Sequence, residues 1–230
     1  MAATVSIIVP TLNEAANLPH VLPRIPRVPE ICEIMLVDGR STDGTADVAR
    51  ELIPDIRVVN QTGKGKGNAI KSGAAAAVGE YFLILDADGS HRPEEIPDYI
   101  AKAEAGYDYV KGSRYLDGRA TEDETFDRVL IVNLTYFVAN TLWRTKYSDI
   151  GYGMFLINRR KFLDMNLRSD YLELEYELAA KAVKHKLRTV EIPAHEHARI
   201  HGESHLSYKH DGWLIFKTVM VEWLKGLIGR

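Results

Sequence analysis

The sequence contains little that would mark a secreted, membrane-spanning or nucleic-acid-binding protein. Cys32 is its single cysteine, which excludes an internal disulfide framework and suits a reducing compartment. No apolar run approaches the ~18 residues that are needed to cross a bilayer. The formal net charge of -3 provides no global basic field, so we expect no nucleic acid among its partners.

The beginning of the chain lacks the pattern of a secretory signal. Residues 1–10 have no basic region, and the apolar stretch Val5–Val9 is shorter than the apolar part of a signal peptide. Hydrophobic residues make up 46% and charged residues 27%, which is ordinary for a globular protein. We therefore predict one cytoplasmic domain over residues 1–230.

Short apolar runs alternate with segments of helical spacing along the first half. The predicted strands are Val5–Val9, Glu33–Val37, Ile56–Asn60 and Tyr81–Leu85, and the predicted helices are Asn13–Leu22, Ala46–Leu52 and Asn68–Val78. Asn13 is expected to cap the first helix. This alternation predicts βαβ units and an α/β fold with a mostly parallel sheet.

The second half is less regular. The predicted strands are Tyr107–Lys111, Phe155–Asn158 and Thr189–Pro193, and the predicted helices are Arg128–Trp143, Leu172–His185 and Trp213–Ile228. Polar loops are expected at Asp117–Asp127 and, rich in histidine, at Ala194–Lys209.

Polar groups recur where the predicted strands end, which is where open α/β sheets bind ligands. Asp86 and Asp88 follow the fourth strand and offer hard oxygen ligands to Mg²⁺ or Mn²⁺. A metal held there would neutralise the charge on a diphosphate leaving group. The alternative is a solvated acidic turn, because Asp-x-Asp alone is a short and common pattern.

Three further strand ends carry groups that suit a nucleotide. Asp38 can accept hydrogen bonds from a base edge or a ribose, and Thr11 and Glu14 lie where a loop could hold a nucleoside. Lys66, in a glycine-rich turn before a helix, suits phosphate, although the P-loop spacing is absent. For Asp43 we favour a role as helix cap over ligand binding.

Taken in order, these motifs resemble glycosyltransferase family 2. The matching segments are Ile8–Glu14, Leu36–Gly39 with Ser41–Thr45, Gly65–Gly67, Leu85–Asp88 and Gly112–Tyr115. The second half resembles the dolichol-phosphate (polyprenyl-phosphate) mannose synthase branch through Arg128, Asp149, Gly153, Glu191–Pro193, Arg199 and Gly202–Ser204. The resemblance implies a GT-A fold, which is a Rossmann-like, mostly parallel mixed sheet flanked by helices.

The resemblance also implies an inverting transfer of mannose or glucose to a polyprenyl or dolichyl phosphate. The donor would be a GDP-mannose or UDP-glucose type of nucleotide-sugar bound with Mg²⁺ or Mn²⁺. Residues 1–115 would form the donor half and residues 116–230 the acceptor half. The implied donor-binding and phosphate-binding residues are Pro10, Thr11, Glu14, Asp38, Lys66, Arg114, Arg128, Arg199 and Ser204. The implied catalytic residues are Asp86, Asp88, Arg114 and Asp149, with Asp88 and Asp86 at the metal.

The sequence departs from the family pattern at three positions. Gly39 stands where many members have a second Asp, Ser90 where the lipid-phosphate synthases usually have Gln, and His205 where they have Lys. We expect Asp38 to carry base recognition, Asp88 to carry most of the metal binding, and nearby histidines to supply switchable charge. The spacing of those histidines fits no standard zinc site.

The acceptor is less well defined than the donor. The apolar faces of the predicted helices Arg128–Trp143 and Trp213–Ile228, with cations flanking the second, fit either a peripheral membrane surface or a core or homodimer contact. A hydroxyl acceptor would require a base, for which Asp149 and then Glu175 are the candidates. A catalytically inactive nucleotide-sugar-binding protein is the alternative from outside the enzymes.

Overall fold

Seven strands form one mixed sheet in the computed structural model, which describes residues 3–116, 126–203 and 208–228, with side chains over 3–116, 132–203 and 211–226. The strands are β1 (Val5–Thr11), β2 (Ile31–Asp38), β3 (Arg57–Asn60), β4 (Tyr81–Ile84), β5 (Tyr109–Ser113), β6 (Phe155–Asn158) and β7 (Thr189–Pro193). Their order is β3-β2-β1-β4-β6-β5-β7. Only β6 runs antiparallel to its neighbours among these strands, so the predicted mostly parallel mixed sheet is confirmed.

Helices cover both faces of this sheet. They are α1 (Leu18–Val21), α2 (Thr45–Leu52), α3 (Lys66–Ala76), α4 (Ile96–Glu104), α5 (Phe126–Trp143), α6 (Arg159–Asp164), α7 (Leu174–Lys184) and α8 (Tyr208–Ile228). One core lies between the sheet and α1, α2 and α4, and a second lies between the sheet and α3, α6 and α7. A third apolar cluster joins α5, α7 and α8.

The central strand β1 explains why the sheet is buried on both sides. Val5, Ile7 and Val9 belong to one core, and Ile8 belongs to the other, because successive side chains of a strand point to opposite faces. A continuous apolar run is therefore what this position in a covered parallel sheet requires.

The first predicted helix is much shorter than expected, and Asn13 does not cap it. Asn13 adopts a left-handed conformation with φ 57°. Its side-chain oxygen accepts the Thr42 amide hydrogen at 2.9 Å, and its own amide donates to the Ser41 hydroxyl. Helix α1 begins only at Leu18. Asn13 thus joins the loops that follow β1 and β2, a pairing between residues 29 apart that local pattern does not contain.

Asp43 lies one residue before the N-cap position of α2, but its side chain still accepts a hydrogen bond from the first turn of that helix. The cap residue of α2 is Gly44, in a left-handed conformation. The Asp43 carboxylate accepts the Thr45 amide hydrogen at 3.0 Å and also the Ala15 amide hydrogen at 3.0 Å. Burial alone would raise its pKa, but these hydrogen bonds and the Thr45 hydroxyl lower it.

Helices α4 and α6 were not expected from the sequence. Helix α4 follows a 3₁₀ turn at Pro93–Glu95, and its buried face is Ile96, Tyr99, Ile100 and Ala103. Helix α6 has six residues, and the Asn158 side chain at the end of β6 accepts the Lys161 amide hydrogen at 3.2 Å. Helix α6 is too short for a clear helical period, whereas the buried residues of α4 do follow the helical spacing, which the sequence prediction overlooked.

Replacement of Phe82 by alanine is expected to cost about 3–5 kcal/mol of unfolding free energy, measured by urea denaturation. Phe82 is fully buried, and its ring centroid lies 4.9 Å from that of Phe162 and 6.2 Å from that of Phe155. Phe137→Ala, at a side chain 69% exposed, is the matched control and should change stability by less than about 0.5 kcal/mol. Equal losses in the two variants would contradict this packing.

Candidate active site at the carboxyl edge of the sheet

The carboxyl ends of β1, β2 and β4 meet at one edge of the sheet. Thr11 at the end of β1 lies opposite Asp38 at the end of β2 in the parallel register. The Leu85 amide still donates to the Ile8 carbonyl at 3.0 Å, so the chain leaves β4 alongside β1 and carries Asp86 and Asp88 to the same edge. The predicted convergence of these side chains is therefore observed.

Asp38 presents an unused acceptor at this edge. One carboxylate oxygen accepts the amide hydrogens of Arg40 and Ser41, both at 3.0 Å. The other oxygen, Oδ1, is buried and has no hydrogen-bond partner among the described residues. A buried acceptor without a partner is costly, so Oδ1 is suited to accept an N–H or O–H from a bound molecule. A Cβ at Gly39 would lie 3.1 Å from the Thr11 carbonyl oxygen, so this position is tightly packed.

Thr11 and Glu14 are already bound to other protein groups. The Thr11 hydroxyl donates to the Val37 carbonyl at 3.4 Å, and Pro10 precedes it without a backbone N–H. The Glu14 carboxylate accepts from the Asn17 amide at 2.6 Å and from the Arg199 guanidinium. Both side chains lie beside the edge, as predicted, but neither presents a free carboxylate or hydroxyl in this arrangement.

Lys66 lies between two carboxylates. Its Nζ donates to Asp86 Oδ2 at 2.7 Å and lies 3.7 Å from Glu175 Oε1. Burial alone would lower the pKa of Lys66, but the charges of Asp86 and Glu175 outweigh it and raise that pKa. Burial alone would raise the pKa of Asp86, yet Lys66 holds it below its ordinary value. Lys66 and Asp86 therefore form a charged pair.

The glycine turn around Lys66 packs closely against the chain at residues 170–171. A Cβ at Gly65 would lie 2.3 Å from the Asp170 carbonyl oxygen, and one at Gly67 would lie 2.7 Å from the Tyr171 carbonyl oxygen. The Asn68 amide, in the first turn of α3, donates to the same Asp170 oxygen at 2.9 Å. Because Gly65 and Gly67 have no Cβ, the chain at residues 170–171 can pack directly against this turn. Lys66 reaches the carboxyl edge of the sheet through its side chain.

Asp88 is oriented by its neighbours. Its Oδ1 accepts from the Ser90 amide at 3.0 Å and from the Ser90 hydroxyl at 2.7 Å, while Oδ2 lies 3.3 Å from Arg199 Nη1. Ser90 thus orients Asp88. The side chains of Asp86 and Asp88 are 21% and 23% exposed, so a cation can reach both.

These two carboxylates fit a divalent metal. No cluster of three or more His, Cys, Asp or Glu side chains suited to a metal occurs within the described ranges. Magnesium commonly binds one or two carboxylates and completes its shell with phosphate and water oxygens. Asp86 and Asp88 therefore suit Mg²⁺ or Mn²⁺ arriving with a diphosphate better than a metal held by protein groups alone.

Arg114 and Asp149 form a buried, two-pronged ion pair. Arg114 Nε donates to Asp149 Oδ2 at 2.7 Å, and Nη2 donates to Oδ1 at 3.0 Å. The Tyr136 hydroxyl also donates to Asp149, at 2.8 Å, and Glu191 accepts the Asp149 amide hydrogen. Burial alone would lower the pKa of Arg114, but Asp149 and Glu196 raise it. Because both Asp149 oxygens are engaged and fully buried, the geometry fits an organising role better than proton abstraction.

Sequence reasoning missed three residues around these pairs. His91 Nδ1 accepts the Asp86 amide hydrogen at 3.3 Å, and its Nε2 contacts the Tyr152 carbonyl at 2.9 Å. Lys111 is fully buried and donates to the Ile150 carbonyl at 3.0 Å. Glu196 accepts from Arg114 Nη1 at 2.8 Å. Only Lys111 leaves a signal in the sequence, as a charge within an apolar strand.

Residues 195–201, which we name the strap, lie across the acidic motif. The Ile200 amide donates to the Asp88 carbonyl at 3.0 Å, and the His197 amide donates to the Ser90 carbonyl at 2.9 Å. Arg199 contacts Asp88 and Glu14. The histidine-rich loop predicted here is thus part of the edge. The Arg128 side chain, and all of Ser204 and His205, lie outside the described residues.

Solved structures identify the class of fold. Glucosyl-3-phosphoglycerate synthase from Mycobacterium tuberculosis, in complex with Mn²⁺, uridine diphosphate and glucosyl-3-phosphoglycerate, superposes with a TM-score of 0.74. The match covers 96% of this chain and 80% of that chain at 20% identity. The complex of the same enzyme with Mg²⁺ and uridine diphosphate gives a TM-score of 0.74 over 96% of this chain and 79% of that chain, also at 20% identity. This likeness confirms the GT-A fold in a single domain.

The family follows from the sequence profile. The profile of Glycosyl transferase family 2 matches residues 6–165, which is more than half of the chain, so the protein belongs to that family and is a glycosyltransferase. The predicted family membership is confirmed.

Named relatives extend this result. Glycosyltransferase AglJ of Haloferax volcanii is 32% identical over 92% of this chain and 69% of its own length. Dolichol-phosphate mannosyltransferase of Pyrococcus furiosus is 33% identical over 89% of this chain and 60% of its own length. Polyprenol monophosphomannose synthase of Mycolicibacterium smegmatis is 30% identical over 97% and 87%. This chain therefore spans most of the first and third relatives and about three fifths of the second.

Replacement of Lys66 by methionine is expected to lower kcat/KM for sugar transfer by about 10²-fold, because it leaves Asp86 and Glu175 without their shared cation. Initial rates against donor concentration would measure the loss. Lys71→Met removes a lysine from the same helix, where its partner is Asp170, and should change kcat/KM less than about threefold. Equal effects in the two variants would remove Lys66 from the site.

Proposed function

We propose that this glycosyltransferase moves a hexose, mannose or glucose, from a nucleotide-sugar to a polyprenyl phosphate, with inversion at the anomeric carbon. The observation that carries the proposal is the pairing of two subsites at one edge. The acidic pair Asp86 and Asp88, with Lys66, forms a donor side, and the buried guanidinium of Arg114 faces the strap. Two of the relatives described above act, by name, on dolichol or polyprenol phosphates.

On the donor side, each residue has a specific task. Asp38 Oδ1 accepts a hydrogen bond from the base or the ribose. Asp86 and Asp88 hold Mg²⁺ or Mn²⁺, which, when bound, stabilises negative charge on the departing nucleoside diphosphate. Lys66 fixes Asp86 in its charged form, and Ser90 fixes the orientation of Asp88. The site thereby supplies a fixed electrostatic environment before the sugar moves.

On the acceptor side, no general base is required. A phosphate oxygen is already anionic, so it attacks the anomeric carbon directly and forms the new C–O bond. The bond from that carbon to the donor diphosphate breaks, and its electron pair leaves with the nucleoside diphosphate. Arg114 orients the acceptor phosphate, and Arg199 pairs with the phosphates of the donor, through planar guanidinium contacts. One displacement of this kind inverts the anomeric centre.

A hydroxyl acceptor is the second candidate function, and one observation favours it. Glu175 is buried beside Lys66, and its Oε2 has no hydrogen-bond partner among the described residues. Burial raises its pKa in spite of the nearby charges of Lys66 and Lys111. A carboxylate with a raised pKa can accept a hydroxyl proton. An inactive binding protein is disfavoured, because the Lys66–Asp86 pair and Asp88 are intact.

A panel of donors and acceptors tests the function. Four donors, GDP-mannose, GDP-glucose, UDP-glucose and UDP-mannose, would each be incubated with the enzyme and Mn²⁺. Each incubation would contain geranyl phosphate, geraniol or no acceptor. We expect a glycosyl phosphate product with geranyl phosphate and none with the matched alcohol, because only the phosphate arrives as an anion. Transfer to the alcohol alone would contradict the proposal and favour the hydroxyl acceptor.

Metal dependence provides the control within this experiment. Chelation with EDTA should abolish transfer, and Asp88→Asn should lower it at least about 10²-fold while the thermal unfolding midpoint stays near that of the wild type. Asp98→Asn, at an exposed site on α4, is the matched variant and should retain full transfer. Unchanged turnover in Asp88→Asn would remove Asp88 from the reaction.

An apolar surface formed by α5 and α8 supports a membrane-bound acceptor. Leu134, Phe137, Trp213, Phe216 and Leu224 are each 47–69% exposed, and the rings of Trp213 and Phe216 stack with centroids 6.1 Å apart. None of the helices in the described ranges has the length and apolar character needed to cross a membrane. We therefore propose that this surface rests on the headgroup region of a membrane that holds the acceptor.

The double variant Trp213→Ala/Phe216→Ala is expected to reduce co-sedimentation with anionic phospholipid vesicles by at least about fivefold, since each aromatic ring contributes roughly 1 kcal/mol or more on burial. Val78→Ala/Leu163→Ala also removes two exposed apolar side chains and serves as the control. Sedimentation velocity without lipid would detect the alternative occupant, a second copy of the chain. A dimer that the aromatic variant dissociates, together with unchanged vesicle binding, would contradict the membrane proposal.

A further inference from the structure

The strap carries two charges of opposite sign into the two halves of the site. These charges are Glu196 and Arg199, which are three residues apart. Glu196 contacts Arg114 at 2.8 Å. Arg199 contacts Glu14 and also Asp88, the latter at 3.3 Å. Neither contact is between neighbours in sequence, since the partners are 82 to 185 residues away. The strap thus places a carboxylate on the acceptor-side arginine and a guanidinium on the donor-side carboxylates.

We propose that Glu196 and Arg199 compete with the two ligands, Glu196 with the acceptor phosphate for Arg114 and Arg199 with the divalent cation for Asp88, so that binding of one ligand favours binding of the other. The inference rests on the proposed function for the identity of the phosphate. Its donor-side half requires only that a divalent cation binds at Asp88.

On the donor side, the competition follows from charge and geometry. Arg199 donates to the two carboxylates from separate nitrogens, and its Nε donates to the His201 carbonyl at 2.7 Å. The guanidinium is therefore fixed, and its positive charge lies within contact distance of Asp88 Oδ2. A divalent cation on that oxygen would meet strong repulsion unless Arg199 moves away. Once displaced, Arg199 can pair with the phosphates that accompany the metal.

On the acceptor side, one edge of the Arg114 guanidinium is not bound to Asp149, namely the edge at Nη1. Its backbone amide, Nε and Nη2 all donate to Asp149, and Nη1 donates to Glu196. Arg114 is only 6% exposed, whereas the Glu196 side chain is 23% exposed. A phosphate that binds this edge of Arg114 competes with the Glu196 carboxylate for Nη1, because Nε and Nη2 already donate to the buried Asp149. Glu196 therefore lowers the affinity of Arg114 for the acceptor phosphate.

The strap is short enough for the two exchanges to be linked. It is anchored at one end by His195, whose Nδ1 lies 2.6 Å from Glu95, and in the middle by His197, which accepts from Arg92 at 2.8 Å. The hydrogen bond from the Ile200 amide to the Asp88 carbonyl holds it over the acidic motif. Displacement of Arg199 removes one of the contacts that hold this segment, and the proposed linkage requires this loss to reach Glu196, three residues away. Thermodynamic linkage requires the effect to be reciprocal.

The donor-side half is tested with Mn²⁺ alone, by titration calorimetry or by the electron paramagnetic resonance signal of free Mn²⁺. Arg199→Gln removes the competing charge and should bind Mn²⁺ about tenfold more tightly than the wild type. Arg199→Lys keeps the charge and should remain within about threefold of it. Arg27→Gln removes an exposed arginine at the opposite edge of the sheet and is the control. Unchanged or weaker Mn²⁺ binding by a folded Arg199→Gln would overturn this half.

The acceptor-side half is tested by titration of geranyl phosphate, with inorganic phosphate in a parallel arm that separates the phosphate contact from the lipid contact. Glu196→Gln should bind geranyl phosphate about tenfold more tightly than the wild type. Glu203→Gln, which removes an exposed carboxylate just beyond the strap, should not. Equal affinities of Glu196→Gln and the wild type would overturn this half.

Linkage is tested by repeating the geranyl phosphate titration with saturating Mn²⁺ and GDP or UDP. In the wild type the affinity should rise about five- to tenfold, and in Glu196→Gln the rise should largely disappear, because the competing carboxylate is gone. A rise of equal size in both proteins would overturn the linkage. If the wild type transfers sugar to no polyprenyl phosphate, the proposed function fails, and the Mn²⁺ result with Arg199→Gln still decides the donor-side inference.

Discussion

The parallel register of β1 between β2 and β4 determines where the donor-side groups lie. It sets Thr11 opposite Asp38, and the Leu85–Ile8 hydrogen bond carries the chain beyond β4 with Asp86 and Asp88 at the same edge. Since strand side chains alternate between faces, a slip of one residue would exchange the two cores and move the carboxylates away from Asp38. The site therefore depends on the buried apolar residues of β1, which fix this register.

Much of this arrangement could be predicted because its signals are local. Apolar runs marked the strands, and the groups that follow them marked the edge. The contacts that orient each side chain join residues far apart in the sequence, so local sequence patterns do not predict them. Asn13 pairs with Thr42, Gly65 and Gly67 admit residues 170–171, and Asp149 is held by Arg114. Sequence reasoning thus named residues that lie at this edge and missed most of the contacts between them.

The charged contacts at this edge share one feature. In the described part of the chain, each of three site cations is shared by two carboxylates from distant segments. Lys66 lies between Asp86 and Glu175, Arg114 between Asp149 and Glu196, and Arg199 between Glu14 and Asp88. Burial of a charge is costly unless the charge is paired and hydrogen-bonded, which explains why each of these three cations has close carboxylate partners. It also means that each cation can lose one carboxylate and keep the other.

This sharing leaves six carboxylates against three cations, an excess of three negative charges when all are ionised. Burial raises the pKa of Glu175 and so opposes the ionised form of that side chain. A diphosphate alone would still be repelled by such a site, whereas a diphosphate with a divalent metal would not. The proposed binding of a metal together with the diphosphate therefore follows from the whole charge arrangement around the edge, and the Asp86–Asp88 motif is the part of it that is visible in the sequence.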